Sequence, residues 1–266
     1  MNKLSRTSLL HQFKLRYLTS AKQIYKVQGL GKLINKSLWF LGANPNAPII
    51  KAIIQNSANH DYFIDVGSYV GDIIFNVSQY FSKSIGFEPS SSNYHKLMKN
   101  ATNHNIQNIT FYNCALGDKK GKKRFYLSEL NEEDNRFTTA EDPSEEFGGF
   151  QSENVTVDIL DNILSKHKIN QACIIKLDVQ GYEPNVLQGA SEILKKNCLI
   201  ISEFWPWGLY VNKTEPYDFV NFIRSLGFEF FHLNNKPLNL RYLKKFCTQG
   251  ITNKHVWDDF ILKKPT

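Results

Sequence analysis

The stretch Tyr62–Phe75 constrains the fold more than any other part of the chain. It reads Tyr-Phe-Ile-Asp-Val-Gly-Ser-Tyr-Val-Gly-Asp-Ile-Ile-Phe. An apolar run ends at Asp65, passes through Gly67 and Gly71, and then takes on a helical pattern. A buried parallel strand turns into a helix in this way where an α/β domain holds a nucleotide. Gly67 permits a positive φ or a close backbone approach. The N–H groups opening a helix after Gly71 offer a partly positive end to an anionic or polar group. The spacing lacks the three glycines of the dinucleotide fingerprint, and no Lys-Ser/Thr follows Gly71 as a P-loop needs. Two readings remain: the Asp-x-Gly-x-x-x-Gly turn of a nucleoside-binding domain, or a tight strand–helix turn with no ligand.

Charge separates the chain into two parts. The net charge of +7 hides nine basic and no acidic residues before Asp61, which leaves −2 for residues 61–266. A near-neutral domain carrying a basic arm argues against nucleic acid as the domain's partner. The boundary falls in Asn44-Pro45-Asn46-Ala47-Pro48, giving a basic helical extension over 1–48 and a domain over 49–266. In the extension Leu30, Leu33, Ile34 and Leu38 recur at helical spacing, with Gly29 and Gly31 as breaks. Packing on the domain, peripheral contact with anionic lipid, and dimerisation into a homo-oligomer all suit such an arm. The four cysteines, Cys114, Cys173, Cys198 and Cys247, lack C-x-x-C spacing and read as buried thiols of a reducing compartment. No apolar run is long enough to span a membrane, and Lys14 and Arg16 interrupt any signal-peptide core. The expected location is cytoplasmic, membrane-associated if the arm meets lipid.

Along the domain, strands and helices alternate. Ile49–Gln55 reads as a helix and Ile73–Phe81 as another. Ser84–Phe87 is a strand ending at Glu88-Pro89. Glu88 lies 23 positions after Asp65, where α/β nucleoside sites place an acid for the ribose hydroxyls. Ile109–Leu116 reads as one strand, Lys123–Ser128 as another and Val155–Val157 as an edge strand. Between them, residues 129–154 read as a solvated loop or a lid. Asp161 is positioned to cap a helix over Asn162–His167. Tyr217–Leu226 is helical, Phe228–Leu233 and Trp257–Leu262 are strands, and 234–253 is polar and loop-like. The alternation predicts a doubly wound α/β sheet, mostly parallel, with ligands across its C-terminal strand ends.

A second strong stretch is Ala172–Pro184, where a buried strand carries Lys176 and Asp178 on one face and turns through Gly181. Pro184 suits the start of the following helix. Cys198–Phe204 repeats the pattern and ends at Glu203. The Trp205-Pro206-Trp207 that follows reads equally as a ring-stacking surface or as core.

Taken in order, Asp65-Val66-Gly67-Ser68-Tyr69-Val70-Gly71, Phe87-Glu88-Pro89, Ala115-Leu116-Gly117-Asp118, Leu160-Asp161, Lys176-Leu177-Asp178-Val179-Gln180-Gly181-Tyr182-Glu183 and Ile201-Ser202-Glu203 resemble the FkbM family of S-adenosylmethionine-dependent methyltransferases. The resemblance spans about residues 60–205. It implies a class I methyltransferase (Rossmann-like) seven-stranded sheet, mostly parallel with an antiparallel last strand and helices on both faces. It also implies S-adenosylmethionine as cofactor and O-methyl transfer to a hydroxyl of a glycan or other hydroxylated small molecule. By position, Asp65, Gly67, Ser68, Tyr69 and Gly71 would hold the methionine part. Glu88 and Pro89 would lie at the ribose, and Cys114, Ala115 and Leu116 by the adenine. Asp178 would face the cofactor amine and the acceptor. The family usually has Glu where this chain has Gln180.

Methyl transfer to an alcohol benefits from a nearby base, and the strand ends offer Asp178 first and Glu203 second. A cation held by these two acids could replace the base, but two acids alone do not make a metal site, and none is assigned. His232 and His255 lack a supporting motif. The competing readings are an N-methyltransferase and a non-catalytic binding or scaffold protein that keeps the fold. A side chain at Gly67 is expected to block the cofactor before it disturbs the fold.

Overall fold

The computed structural model describes residues 44–104, 106–129, 131–139, 151–169 and 171–265. The expectations for the arm before residue 44 lie outside these residues, as does 140–150 of the loop or lid. Named in chain order among the described residues, the helices are α1 (Ala47–Asn56), α2 (Ile74–Val77), α3 (Ser91–His104), α4 (Leu160–Lys166), α5 (Glu183–Gln188), α6 (Pro206–Val211), α7 (Pro216–Ser225) and α8 (Leu240–Thr252). The main-sheet strands are β1 (Tyr62–Val66), β2 (Lys83–Phe87), β3 (Ile109–Tyr112), β7 (Cys173–Leu177), β8 (Cys198–Phe204), β9 (Glu229–His232) and β10 (Asp258–Lys263). A smaller sheet holds β4 (Ala115–Leu116), β5 (Gly121–Leu127) and β6 (Gln151–Asp158).

The seven-stranded sheet has the order β3-β2-β1-β7-β8-β10-β9. Strands β1, β2, β3, β7 and β8 are parallel, and β10 runs antiparallel between β8 and β9. The order reverses between β1 and β7, which opens the crevice where such sheets bind ligands.

Strand alternation sorts the core into two layers. Ile64, Val66, Ile85, Phe87, Ile175, Leu177 and Ile200 pack with α4, α5, α7 and α8. Phe63, Ile174, Leu199, Ile201 and Ile261 pack with α1, α2 and α3. The sheet is therefore covered on both faces, which explains why its central strands are almost unbroken apolar runs. Polar residues interrupt those runs at the C-terminal strand ends, and among them are the candidate site residues.

Several local expectations change. Helix α2 is one short turn beginning at Ile74, followed by a 3-10 turn over Ser78–Tyr80. The expected third strand divides. Asn113 leaves the sheet to bond the Glu88 and Pro89 carbonyls, and Ala115–Leu116 pairs with β6 in the smaller sheet. Strand β6 begins at Gln151, and Phe137 is buried in the core, so parts of 129–154 are ordered elements. Asp161 does not cap its own helix. Its carboxylate accepts from the Glu192 and Ile193 N–H groups at 2.7 and 3.0 Å, tying α4 to the turn before β8. The polar stretch 234–253 contains helix α8, capped by the Asn239 side chain accepting from Tyr242 N–H at 2.9 Å. The four cysteines are free and buried.

Candidate active site

Two turns build the site, one after β1 and one after β7. Both force residues into left-handed backbone: Gly67 (φ +84°), Tyr69 (φ +50°) and Gly71 (φ +96°) in the first, Gln180 (φ +56°) and Gly181 (φ +94°) in the second. Tyr69 and Gln180 are not glycines, and side chains in this region are held there by their surroundings.

The first turn is bound to β2. Gly67 and Ser68 N–H both donate to the Phe87 carbonyl, at 3.0 and 2.9 Å. Tyr69 N–H donates to Glu88 Oε2 and Ser90 N–H to Glu88 Oε1, each at 2.9 Å. Gly71 N–H returns to the Ser68 carbonyl at 2.8 Å. These donors are thus used within the protein. With α2 reduced to four residues starting at Ile74, the expected positive helix end after Gly71 is not built.

Gly67 itself is explained by packing. A Cβ there would lie 2.0 Å from the Asp178 carbonyl oxygen. The two turns touch at this point, so a side chain would disturb the fold first; the expectation that it would spare the fold is corrected. Gly181 plays the same part on the other side, where a Cβ would lie 2.3 Å from the Gly208 backbone.

Register places the charged groups. Asp65 lies directly beside Lys176, and Glu203 beside Asp259. By alternation these four share the sheet face of Ile174 and Ile201. Lys176 is 5% exposed; its Nζ donates to the Gly67 carbonyl at 2.9 Å and lies 3.7 Å from Asp65 Oδ1 and 3.5 Å from Asp178 Oδ2. Burial alone would lower its pKa, but the charges of Asp178 and Asp65 outweigh burial and raise it. Asp65 goes the other way. Burial pushes it up to about 6 although Lys176 pulls it down. Neither oxygen of the Asp65 carboxylate has a hydrogen-bond partner. Burial likewise raises Glu88 to about 8 against the pull of its two backbone bonds.

Asp178 sits just past β7, its side chain 34% exposed. Gln180 joins it to Glu203: Nε2 is 2.8 Å from Asp178 Oδ1 and 2.8 Å from Glu203 Oε2. The turn holding Gln180 is fixed in turn by Glu183, whose Oε1 accepts from Val179 and Gly181 N–H at 3.2 Å. Burial raises Glu183 to about 7. Lys176, Gln180 and Glu183 carry this geometry; Lys176 was expected at the crevice beside Asp178 and Gln180 as an orienting group in place of a Glu, whereas Glu183 had no expected site role. The signal available was their position two residues either side of Asp178 and at the next helix start.

The remaining expected residues lie near the β2 and β3 ends. Pro89 is partly buried, and its carbonyl accepts from Asn113 Nδ2 at 3.1 Å. Cys114, Ala115 and Leu116 are buried, and burial raises the Cys114 thiol to about 12. Trp205 is core: its indole N–H donates to the Lys254 carbonyl and the Arg136 guanidinium lies 5.1 Å from its ring centre. His232 packs against Tyr242 and Phe260 on β9. Among the described residues, no group of three His, Cys, Asp or Glu side chains is placed to hold a metal ion, and no helix is long and apolar enough to cross a membrane.

A sheet in this order, with a penultimate-position antiparallel strand and polar groups gathered at the β1 and β7 ends, is that of a class I methyltransferase. The family described as "Methyltransferase FkbM domain" matches residues 65–230. The chain therefore belongs to the FkbM methyltransferase family, whose methyl donor is S-adenosylmethionine. No curated protein matches the chain. Among solved structures, it is similar to a methyltransferase FkbM from Methylobacillus flagellatus KT, at 18% identity and a TM-score of 0.45. That match covers 77% of this chain and 43% of the other, so this chain spans less than half of that relative's length. A Streptococcus mutans protein in complex with SAH matches at 12% identity and a TM-score of 0.47, over 84% of this chain and 98% of its own. A precorrin methyltransferase of Geobacter metallireducens matches at 8% identity and a TM-score of 0.45, over 84% and 89%.

Proposed function

We propose that this chain transfers a methyl group from S-adenosylmethionine to a hydroxyl oxygen of a glycan or another hydroxylated small molecule. The observation that carries the reading is Asp178, a part-exposed carboxylate at the β7 end, beside the Gly67 turn and fixed by Lys176 and Gln180. When bound, the cofactor supplies an electrophilic methyl on a sulfonium; the protein supplies position and electrostatics.

The residues present fit that cofactor. Both Asp65 oxygens are buried acceptors with no hydrogen bond, Oδ1 lying 3.7 Å from Lys176, which leaves acceptor capacity for a ligand amine. Each Glu88 oxygen uses one lone pair on a backbone N–H and retains another, so the pair can accept two vicinal ribose hydroxyls. Ser68, Tyr69 and Gly71 shape the turn beside them. Pro89, Cys114, Ala115 and Leu116 form the flank that the adenine would use.

On the acceptor side, Asp178 takes the hydroxyl proton during transfer, acting as general base. Glu203, 7% exposed and tied to the same Gln180 amide, supports Asp178 from behind. Lys176 places its charge 3.5 Å from Asp178 and 3.7 Å from Asp65, offsetting part of the negative charge of both. The near-neutral domain favours a neutral polyol over nucleic acid. The whole protein's partners, including lipid or a second copy through the basic arm, belong to the same proposal.

The test is incubation of the full chain with methyl-labelled S-adenosylmethionine and a panel of glycans and hydroxylated small molecules, read by mass spectrometry. Label on an oxygen, lost in Asp178→Asn with cofactor binding retained, supports the reading. Label on nitrogen only, or full turnover by Asp178→Asn, overturns it.

A further inference from the structure

The side-chain amide of Gln180 stands between two carboxylates, and its geometry is specific. Nε2 is 2.8 Å from Asp178 Oδ1 and 2.8 Å from Glu203 Oε2. An NH2 group has two hydrogens, so one can go to each acid. The reversed amide would put its oxygen against two carboxylates, so only this orientation is compatible with ionised acids. The arrangement is costly for Gln180 itself. Its backbone is left-handed (φ +56°), the residue is 6% exposed, and Oε1 is buried without a hydrogen-bond partner. A buried acceptor left alone is destabilising. The residue's own bonding does not account for this conformation, whereas its neighbours gain by it. Glu183 holds the turn from Val179 to Gly181 and so keeps Gln180 in place.

We propose that Gln180 is a positioning residue for methyl transfer: its amide, in the place where a divalent cation could bridge the two acids, joins Asp178 to Glu203 and aims Asp178 at the acceptor. The inference rests on the proposed role of Asp178. Its physical basis is charge. Without a donor between them, two carboxylates this close repel or share a proton. The amide removes that conflict without adding charge or taking a proton. The described charged groups around it include Lys176 and Asp65 from the neighbouring strands, Asp259 from β10 and Glu183 from α5. A carboxylate at position 180 would convert the bridge into three acids around one point, a set of hard oxygen ligands suited to Mn2+.

The experiment uses the full chain and Mn2+ alone as probe, read by loss of the free-ion electron paramagnetic resonance signal. Wild type and Asp178→Asn are expected to bind Mn2+ equally, with no site depending on Asp178. Gln180→Glu is expected to gain one site, removed again by adding Asp178→Asn. Alongside, Gln180→Met is expected to lower kcat on the acceptor found above between about 10- and 100-fold. The KM for S-adenosylmethionine should stay within about twofold, a split that general loosening of the fold would not produce. A wild-type Mn2+ site abolished by Asp178→Asn overturns the proposal, as does a Gln180→Glu chain that binds cofactor but gains no site. An unchanged kcat in Gln180→Met overturns the positioning role. Failure of wild type to bind cofactor instead overturns the methyltransferase reading, and the wild-type Mn2+ measurement still decides the bridge.

Discussion

Lys176→Met tests the electrostatic core of the site. In the wild type the buried ammonium lies 3.7 Å from Asp65, 3.5 Å from the part-exposed Asp178 and 2.9 Å from the Gly67 carbonyl. Met keeps the approximate volume and removes all three interactions. Losing the carbonyl bond costs about 1 kcal/mol at any pH. Losing the buried pair matters only while Asp65 is charged, and protonation of Asp65 caps the loss at about 1.4 kcal/mol per pH unit above its wild-type value. Burial already raises Asp65 to about 6, and removing Lys176 takes away the charge that restrains it. A carboxyl raised on folding contributes stability that is full below its unfolded pKa and lost as pH rises through its folded value. The variant loses more of this than the wild type, so the difference between them grows with pH. Urea unfolding should give a deficit of about 1 kcal/mol near pH 4 and, with at most about 1.4 kcal/mol added per pH unit above the wild-type Asp65 value of about 6, about 3–4 kcal/mol near pH 8. Adding Asp65→Asn should remove the part of the pH dependence that sets in above about 6. An equal deficit at both pH values, or one below about 1 kcal/mol near pH 8, refutes the claim that Lys176 neutralises Asp65.

Three further outcomes follow from named contacts. Gly67→Ala places a Cβ 2.0 Å from the Asp178 carbonyl at a positive φ, so chemical unfolding should show a loss of more than about 2 kcal/mol together with weakened cofactor binding. Asn239→Ala removes the cap of α8 and should cost about 1 kcal/mol in urea unfolding, with cofactor affinity unchanged. Ribose hydroxyls donating to Glu88 favour its ionised form, and Glu88 sits near 8 without them. Cofactor binding near pH 7 should therefore release protons, seen as a dependence of calorimetric heat on buffer ionisation enthalpy; proton uptake would contradict the assignment of Glu88.

The sheet was legible because its strands are buried on both faces. Cys198–Ile201 is an unbroken apolar run, and Phe63–Val66 and Cys173–Leu177 are apolar but for Asp65 and Lys176 at their C-terminal ends. The order of motifs then fixed the class of sheet. Helix α8 was not legible, because its buried face is a thin stripe of Leu243, Cys247 and Gly250 among lysines and threonines. Asn239 before it was the available cue. Asp161 was misplaced because a carboxylate at a helix start can cap a distant turn as well as its own. In the site, Asp65, Glu88, Asp178 and Glu203 were found as acids at strand ends. What joins them was not legible. The Gln180 bridge needs two strands in register and a left-handed residue. The Gly67 contact needs the two turns brought against each other. Such pairings are long-range and leave no periodicity in the sequence.

Isothermal titration of the full chain with S-adenosylmethionine tests the central claim most directly. One site per chain is expected, with affinity lost in Glu88→Ala and kept in Asp178→Asn. No detectable binding by a chain shown to be folded, or binding indifferent to Glu88, would contradict the account.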